Sequence, residues 1–206
     1  VFDPVADVFI FWPKPSPKSD AFPIDAIVTK SIILLKFGDE RTSPKLNQKQ
    51  VEYCGRCHSR RAQLTDDYVY GKDLENSHQL DLIDRPYYHD DGTINGENYV
   101  YGSFVQSKMY RKGVSCKNCH DIHSNKLIAP GKQVCYQCHD PKTYDSASHS
   151  MHQLTDTNPN CIDCHMPKQN FMVIDARADH SMRIPRPDIS LATGSMNACN
   201  NCHLDE

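Results

Sequence analysis

All ten cysteines of this 206-residue chain fall into five pairs, and every pair has the form Cys-x-x-Cys-His. In c-type haem attachment, two thiols add to the vinyl groups of one porphyrin, and the histidine that follows ligates the iron. The sequence therefore predicts five haem c groups, each with one proximal histidine. The motif cysteines are Cys54, Cys57, Cys116, Cys119, Cys135, Cys138, Cys161, Cys164, Cys199 and Cys202, and the histidines are His58, His120, His139, His165 and His203.

Zinc sites, iron–sulfur clusters, thioredoxin-like sites and disulfides also use paired cysteines. None of them requires a histidine directly after the second cysteine. With 11 histidines in the chain, one occurs there by chance about once in 20 pairs, or roughly once in a few million for all five. The haem interpretation is therefore preferred, and thioether formation leaves no thiol for a disulfide. Because haem attachment takes place outside the cytoplasm of bacteria and archaea, we expect a periplasmic or extracellular (cell-surface) protein.

Charge and hydropathy argue against nucleic acid as a partner and against a transmembrane segment. The net charge of -3 and the pI of about 6.4 give no basic surface for nucleic acid. The longest apolar run, Ala26–Leu35, contains Thr29, Lys30 and Ser31, so no transmembrane segment is expected. The chain begins at Val1 with no basic leader, and we expect a mature or excerpted product.

The motif spacing indicates how the chain folds. The motifs start at residues 54, 116, 135, 161 and 199, with no fixed period. About 41 residues per haem is too little protein to wrap each cofactor separately. The sequence therefore predicts a mostly irregular chain with short α-helices, in a multihaem cytochrome c fold whose core is built from stacked haems.

Two regions differ in composition. Residues 1–50 lack a motif and contain the proline-rich stretch Pro13–Pro17, which indicates an N-terminal arm that lies on its own domain or exchanges onto a neighbouring subunit. Residues 51–206 form the predicted pentahaem cytochrome c domain. We expect a short strand at Ile32–Leu35 and helix at Tyr99–Lys112. The segment Asp90–Glu97 is expected to be a glycine-containing turn rather than an EF-hand, which would need a glutamate at Gly102.

Six histidines lie outside the motifs, nearly one for each predicted iron: His78, His89, His123, His149, His152 and His180. Neutral imidazole is a common iron ligand, so bis-His ligation of most haems is expected, with methionine as the rival. If the motif helix continues past His120, then His123 emerges on the next turn and serves a different iron. His149 and His152 repeat this spacing. One of His78 and His89 is expected to be redundant.

Four stretches resemble the haem-binding region of multihaem cytochromes that often also carry tetratricopeptide repeats. They are CHSRRAQL at 57–64, YGSFVQSKMY at 101–110, CHMP at 164–167 and DHSMRIPRPD at 179–188. The resemblance implies distal-ligand roles for His89, His123, His149, His152 and His180, and leaves His78 as the weaker candidate. CHMP is also similar, more distantly, to a string in pentahaem nitrite reductases and octahaem cytochromes. Further upstream haem motifs and downstream repeats are missing, and residues 1–50 match no part of the family.

Iron whose two axial positions are both filled by histidine transfers electrons but binds no substrate. The sequence therefore favours an electron-transfer protein that interacts with other redox proteins. The alternative is a nitrite, hydroxylamine or tetrathionate reductase-like oxidoreductase, which needs an open iron position. A third hypothesis is a homo-oligomer or extracellular conductive filament, joined through contacts near the haems. A soluble shuttle or a subunit of a larger redox complex is also compatible with the sequence.

Overall fold

Short helices make up most of the regular structure. The computed structural model describes residues 49–153 and 159–203, and all of these belong to the same compact unit. The α-helices are α1 (Lys49–His58), α2 (Val100–Gln106), α3 (Lys108–Arg111), α4 (Gln133–Tyr136), α5 (Pro141–Tyr144), α6 (Ala147–Ser150), α7 (Cys161–His165) and α8 (Pro187–Thr193). Single 3-10 turns cover Leu74–Asn76, Cys116–Asn118 and Ala198–Asn201.

The described part of the chain contains two small antiparallel sheets of two strands each. Strand β1 (Arg61–Gln63) pairs with β2 (His78–Leu80), and β3 (Lys168–Phe171) pairs with β4 (Asp175–Ala178). Short helices with this little sheet confirm the coarse fold class predicted from the sequence.

Local sequence signals explain where several helices begin and end. The predicted helix at 99–112 is confirmed, but it breaks into α2 and α3 at the buried Ser107, whose hydroxyl accepts a hydrogen bond from the backbone N–H of Tyr110. Helix α8 starts with a proline, whose fixed φ suits a first helical turn, and ends at Gly194 in the left-handed conformation.

The segment 88–94 forms the predicted glycine-containing turn. Gly92 has a φ of +82°, which a residue with a side chain adopts only with strain, and its N–H donates to the carbonyl of His89. Tyr88 and Ile94 pair across the turn in an antiparallel bridge. Asp91 accepts hydrogen bonds from the backbone N–H and the hydroxyl of Thr93. The carboxylate therefore closes the turn.

The second motif helix does not continue past His120, so the condition for placing His123 on the next helical turn is not met. The 3-10 turn there ends at Asn118, and His120 instead pairs with Leu127 in an isolated antiparallel bridge. The Asp121 carboxylate accepts hydrogen bonds from the N–H of His123 and the hydroxyl of Ser124, which reverses the chain. His123 therefore lies on an exposed loop rather than on a helical turn.

Few apolar side chains are buried among the described residues, and many are exposed. The buried ones are Val51, Leu74, Tyr88, Ile94, Phe104 and Phe171. Ile174 and Leu191 are 88% and 89% exposed, respectively. Burial of apolar surface is the main favourable term in folding. The described part of the polypeptide by itself therefore supplies only a small apolar core.

Two regions predicted from the sequence fall outside this description. Nearly all of the N-terminal arm at residues 1–50, including the strand expected at Ile32–Leu35, lies outside the described residues. None of the helices in the described part has the length and apolar content needed to cross a bilayer.

Candidate haem-binding site

Three motif histidines each face a histidine from outside the motifs. The ring centroids of His120 and His180 lie 6.3 Å apart, with the ring planes 26° apart. The ring centroids of His149 and His165 lie 5.9 Å apart, with the planes 25° apart. The rings of His152 and His203 lie 6.2 Å apart at a more tilted 41°.

This spacing fits two imidazoles that ligate one metal ion from opposite sides. A metal–imidazole bond of about 2 Å, with each ring nitrogen about 1 Å from its centroid, puts the centroids roughly 6 Å apart. Rings packed directly against each other can also lie 4.5–7 Å apart, in offset or edge-to-face arrangements. The donor chemistry of the rings therefore provides a second test.

In each pair, the Nδ1 atom of one ring is hydrogen-bonded to a backbone carbonyl. His165 Nδ1 lies 2.7 Å from the Arg183 oxygen, His180 Nδ1 lies 2.9 Å from the Ala178 oxygen, and His152 Nδ1 lies 2.6 Å from the Ser150 oxygen. A carbonyl can only accept a hydrogen bond, so Nδ1 carries the proton in each of these rings. Nε2 keeps its lone pair, as metal-ligating histidines require. The residues present therefore fit haem iron.

The turn that presents His180 is built by its two neighbours. Asp179 and Ser181 are 4% and 3% exposed, and the Asp179 carboxylate accepts from the Ser181 N–H at 2.9 Å and from its hydroxyl at 2.6 Å. Sequence reasoning did not identify this support, although an Asp two residues before a Ser is a typical turn signal. The carbonyl partners of the histidines carry no such signal.

Thiols from successive motifs come close together. The Cys116 side chain lies close to that of Cys54 and lowers the pKa of the Cys54 thiol. Cys135 contacts Cys161, and burial together with that neighbour raises the pKa of Cys135 to about 11.

The other two steps between motifs show a weaker, electrostatic coupling. Burial and the nearby Cys138 raise the pKa of Cys119, while burial and the nearby Cys199 raise that of Cys164. Each motif therefore lies beside the next one along the chain.

Two motif histidines have other surroundings. The ring of His139 contacts Tyr144 edge-on at 5.1 Å, and Tyr144 in turn contacts His149 at 5.3 Å. Burial lowers the pKa of His120, and the neighbouring His180 and His58 lower it further. His58 therefore lies close to His120. Among the described residues, neither His89 nor His123 forms a ring pair with a motif histidine.

His78 is enclosed by protein. It is 3% exposed, its Nδ1 lies 2.8 Å from the Ser77 hydroxyl, and the Tyr68 ring contacts it edge-on. Burial lowers the pKa of His78, and the positive charges of Arg61 and Arg56 lower it further. Burial and the hydrogen bond with the Ser77 hydroxyl stabilise His78 as a neutral residue of the protein core.

Three pairs of histidine rings face each other in the described part of the chain. No group of three or more histidine, cysteine, aspartate or glutamate side chains gathers there into a metal-binding cluster. Haem iron takes at most two protein ligands, one on each face, so pairs are the arrangement that haem ligation requires.

Comparisons with known proteins concern the motifs and the fold. Residues 108–144, which include the second and third motifs, match a family model described as a doubled CXXCH motif. Among solved structures, the outer cell wall cytochrome OcwA is similar, with 18% sequence identity and a TM-score of 0.55 over 76% of this chain. The chain shares the fold of a multihaem cytochrome. It corresponds to 49% of the length of OcwA. A comparison with curated proteins finds no match.

The motif match and the shared fold together support a multihaem c-type cytochrome that binds haem c. Neither comparison tests the resemblance to tetratricopeptide-associated cytochromes, which stays a prediction.

Proposed function

We propose that this protein transfers electrons through five covalently attached c-type haems, each ligated by two histidines. The observation that carries the proposal is the set of three imidazole pairs with centroids 5.9–6.3 Å apart, each containing one motif histidine. When bound, the haems supply one-electron iron chemistry. The paired imidazoles fill both axial positions, which suits electron transfer rather than substrate binding.

Contacts between segments suggest ligands for the two remaining motif histidines. The Arg60 guanidinium lies 3.6 Å from the centroid of the Tyr87 ring, which brings the segment after His58 beside the segment that carries His89. We therefore assign His89 to His58.

His123 follows the second motif, which adjoins the third. The Gln137 side chain of the third motif donates to the Asn118 carbonyl of the second at 3.3 Å. We therefore assign His123 to His139. His78 stays a core residue with no haem role.

The composition of the surface supports a core completed by porphyrin. Side chains such as Ile122, Leu127, Ile128, Tyr144 and Ile162 are between 38% and 48% exposed, and all lie within seven residues of a motif histidine or cysteine. Leaving so much apolar surface in water is unfavourable. Stacked haems that cover these side chains would remove that cost.

The order of the motifs supports conduction. Thiol contacts or close approaches join the first motif to the second, the second to the third, the third to the fourth and the fourth to the fifth. Each attachment site therefore lies close to the next along the chain, from the first motif to the fifth. A carrier that passes electrons from haem to haem needs such proximity, whereas a single catalytic centre does not.

Intact mass and voltammetry test the proposal together. The mass should exceed that of the polypeptide by five haems, and a protein film should show five electrons of reversible current. Adding nitrite, hydroxylamine or tetrathionate should leave that current unchanged. A catalytic current with any of the three would favour the reductase alternative and contradict the proposal.

The proposed location is the periplasm or the cell surface, because covalent haem attachment takes place outside the cytoplasm. The filament hypothesis concerns residues 1–50, nearly all of them outside the described part of the chain. Sedimentation of the full chain and of a variant lacking residues 1–45 tests it. Large assemblies in the full chain alone would support a filament, and small particles in both would reject it.

A further inference from the structure

Arg183 contacts two different parts of the molecule through its backbone and its side chain. Its carbonyl accepts the hydrogen bond from Nδ1 of His165 at 2.7 Å. Its guanidinium makes two further hydrogen bonds: Nη2 donates to Oε1 of Gln106 at 2.6 Å, and Nη1 donates to the backbone carbonyl of Asp91. The residue therefore ties His165 to helix α2 and to the turn at 88–94.

The partners of this guanidinium are themselves held in place. Gln106 Nε2 donates to the carbonyls of Gly92 at 2.9 Å and Gly102 at 3.0 Å, which fixes the direction of its Oε1 atom. A Cβ atom at Gly92 would overlap the Gln106 side chain and would lie 2.9 Å from Nη2 of Arg183. The guanidinium therefore has little freedom to move.

The backbone before Arg183 is also constrained. Met182 has a φ of +49°, in the left-handed region that few residues other than glycine adopt. Surrounding contacts must hold such a conformation in place. The anchored guanidinium of the next residue provides one such contact, and the direction of the Arg183 carbonyl depends on this segment.

We infer that Arg183 is a positioning residue for His165, anchored by Gln106 and Asp91, and that it sets the orientation and basicity of this axial imidazole. The inference rests on the proposed ligation of haem iron by His165. A hydrogen bond from Nδ1–H to a carbonyl makes Nε2 more basic, which favours ferric iron and lowers the reduction potential. Asp91 Oδ2 lies 3.9 Å from Nη1 of Arg183, so its negative charge offsets the positive charge of the guanidinium.

Two substitutions separate positioning from charge. Arg183→Lys keeps the positive charge but loses the planar fork, and Gln106→Met removes the acceptor but leaves Arg183 in place. Both should raise the reduction potential of the haem bound by His165 and change its ferric electron paramagnetic resonance signal, with the other four haems unchanged. Arg111→Met is the matched control, because Arg111 donates to the backbone oxygen of Gln106 at 3.1 Å without contacting the His165 segment.

The relevant haem is identified with His149→Ala, which should convert the His165 haem alone to the high-spin form. If that substitution changes no signal, the proposed ligation fails, and the failure is distinct from that of the present inference. If Arg183→Lys and Gln106→Met both leave the potential and the resonance signal unchanged, the positioning role is wrong. Loss of only the His165 haem in either variant would support it.

Discussion

The pairing of His149 with His165 predicts a defined spectroscopic change. Replacing His149 with alanine removes one of two imidazoles whose centroids lie 5.9 Å apart with planes 25° apart. The ring of Tyr144, 5.3 Å from His149, packs edge-on and has no imidazole nitrogen to offer. The iron held by His165 should therefore become five-coordinate or bind water.

The size of the effect follows from the number of haems and the role of the ligand. One of five haems should become high-spin, so about one fifth of the low-spin absorbance should be lost. Axial ligands set haem potentials over a range of about 0.8 V. Losing one imidazole should raise the potential of this haem by on the order of 0.1 V, or about 2 kcal/mol, since 59 mV corresponds to a factor of ten.

The assay is optical and magnetic spectroscopy of the ferric protein, followed by cyanide titration and redox titration. The variant should bind one equivalent of cyanide, and the unmodified protein should bind none. His152→Ala is the matched control, because His152 lies three residues away but pairs with His203. The double variant should expose two haems. A fully low-spin His149→Ala protein, or two single variants that alter the same haem, would refute the assignment.

Three further predictions concern other parts of the structure. His78→Gln should leave all haem spectra unchanged. Burial lowers the pKa of His78 in the folded state, so the unfolded chain binds more protons below pH 6.5, and the free energy of unfolding falls as the pH falls. Acid unfolding titrations of the glutamine variant should therefore show a smaller loss of stability at low pH. A loss identical to that of the unmodified protein would argue against a buried neutral imidazole. Gly102→Ala places a Cβ atom against the Tyr88 hydroxyl and 2.9 Å from Tyr88 Cζ, so denaturant unfolding should show a free energy of unfolding lower by about 1–3 kcal/mol. Adding Tyr88→Phe should recover part of this stability. If the effects of the two substitutions on stability simply add, the proposed overlap is wrong. His123→Ala should convert only the haem of the third motif to the high-spin form in magnetic circular dichroism, whereas a change at any other haem would reassign His123.

Periodicity and turn chemistry allowed part of the fold to be predicted from the sequence. The helical segment at 100–111 and the turn at Gly92 depend on residues close together in the chain. The sequence left open whether the motif helix continues past His120; it does not, because the Asp121 side chain competes with the helix for backbone N–H groups. An Asp directly after the motif histidine was the available signal.

The candidate site was less accessible to sequence reasoning. The motifs identified the proximal histidines, and the six histidines outside the motifs gave the set of candidate distal ligands. The sequence does not determine which spare histidine faces which motif, because His180 pairs with His120 across several intervening elements. The carbonyl of Arg183 was likewise unpredictable, since a backbone acceptor has no residue signature.

Near-infrared magnetic circular dichroism of the ferric protein, normalised to a measured haem count, reports the ligation of every haem in one measurement. Each chain should carry five haems, and all five should give the charge-transfer band of bis-histidine iron with no high-spin band. Fewer than five haems, or a high-spin component in the unmodified protein, would contradict an electron carrier with every iron saturated.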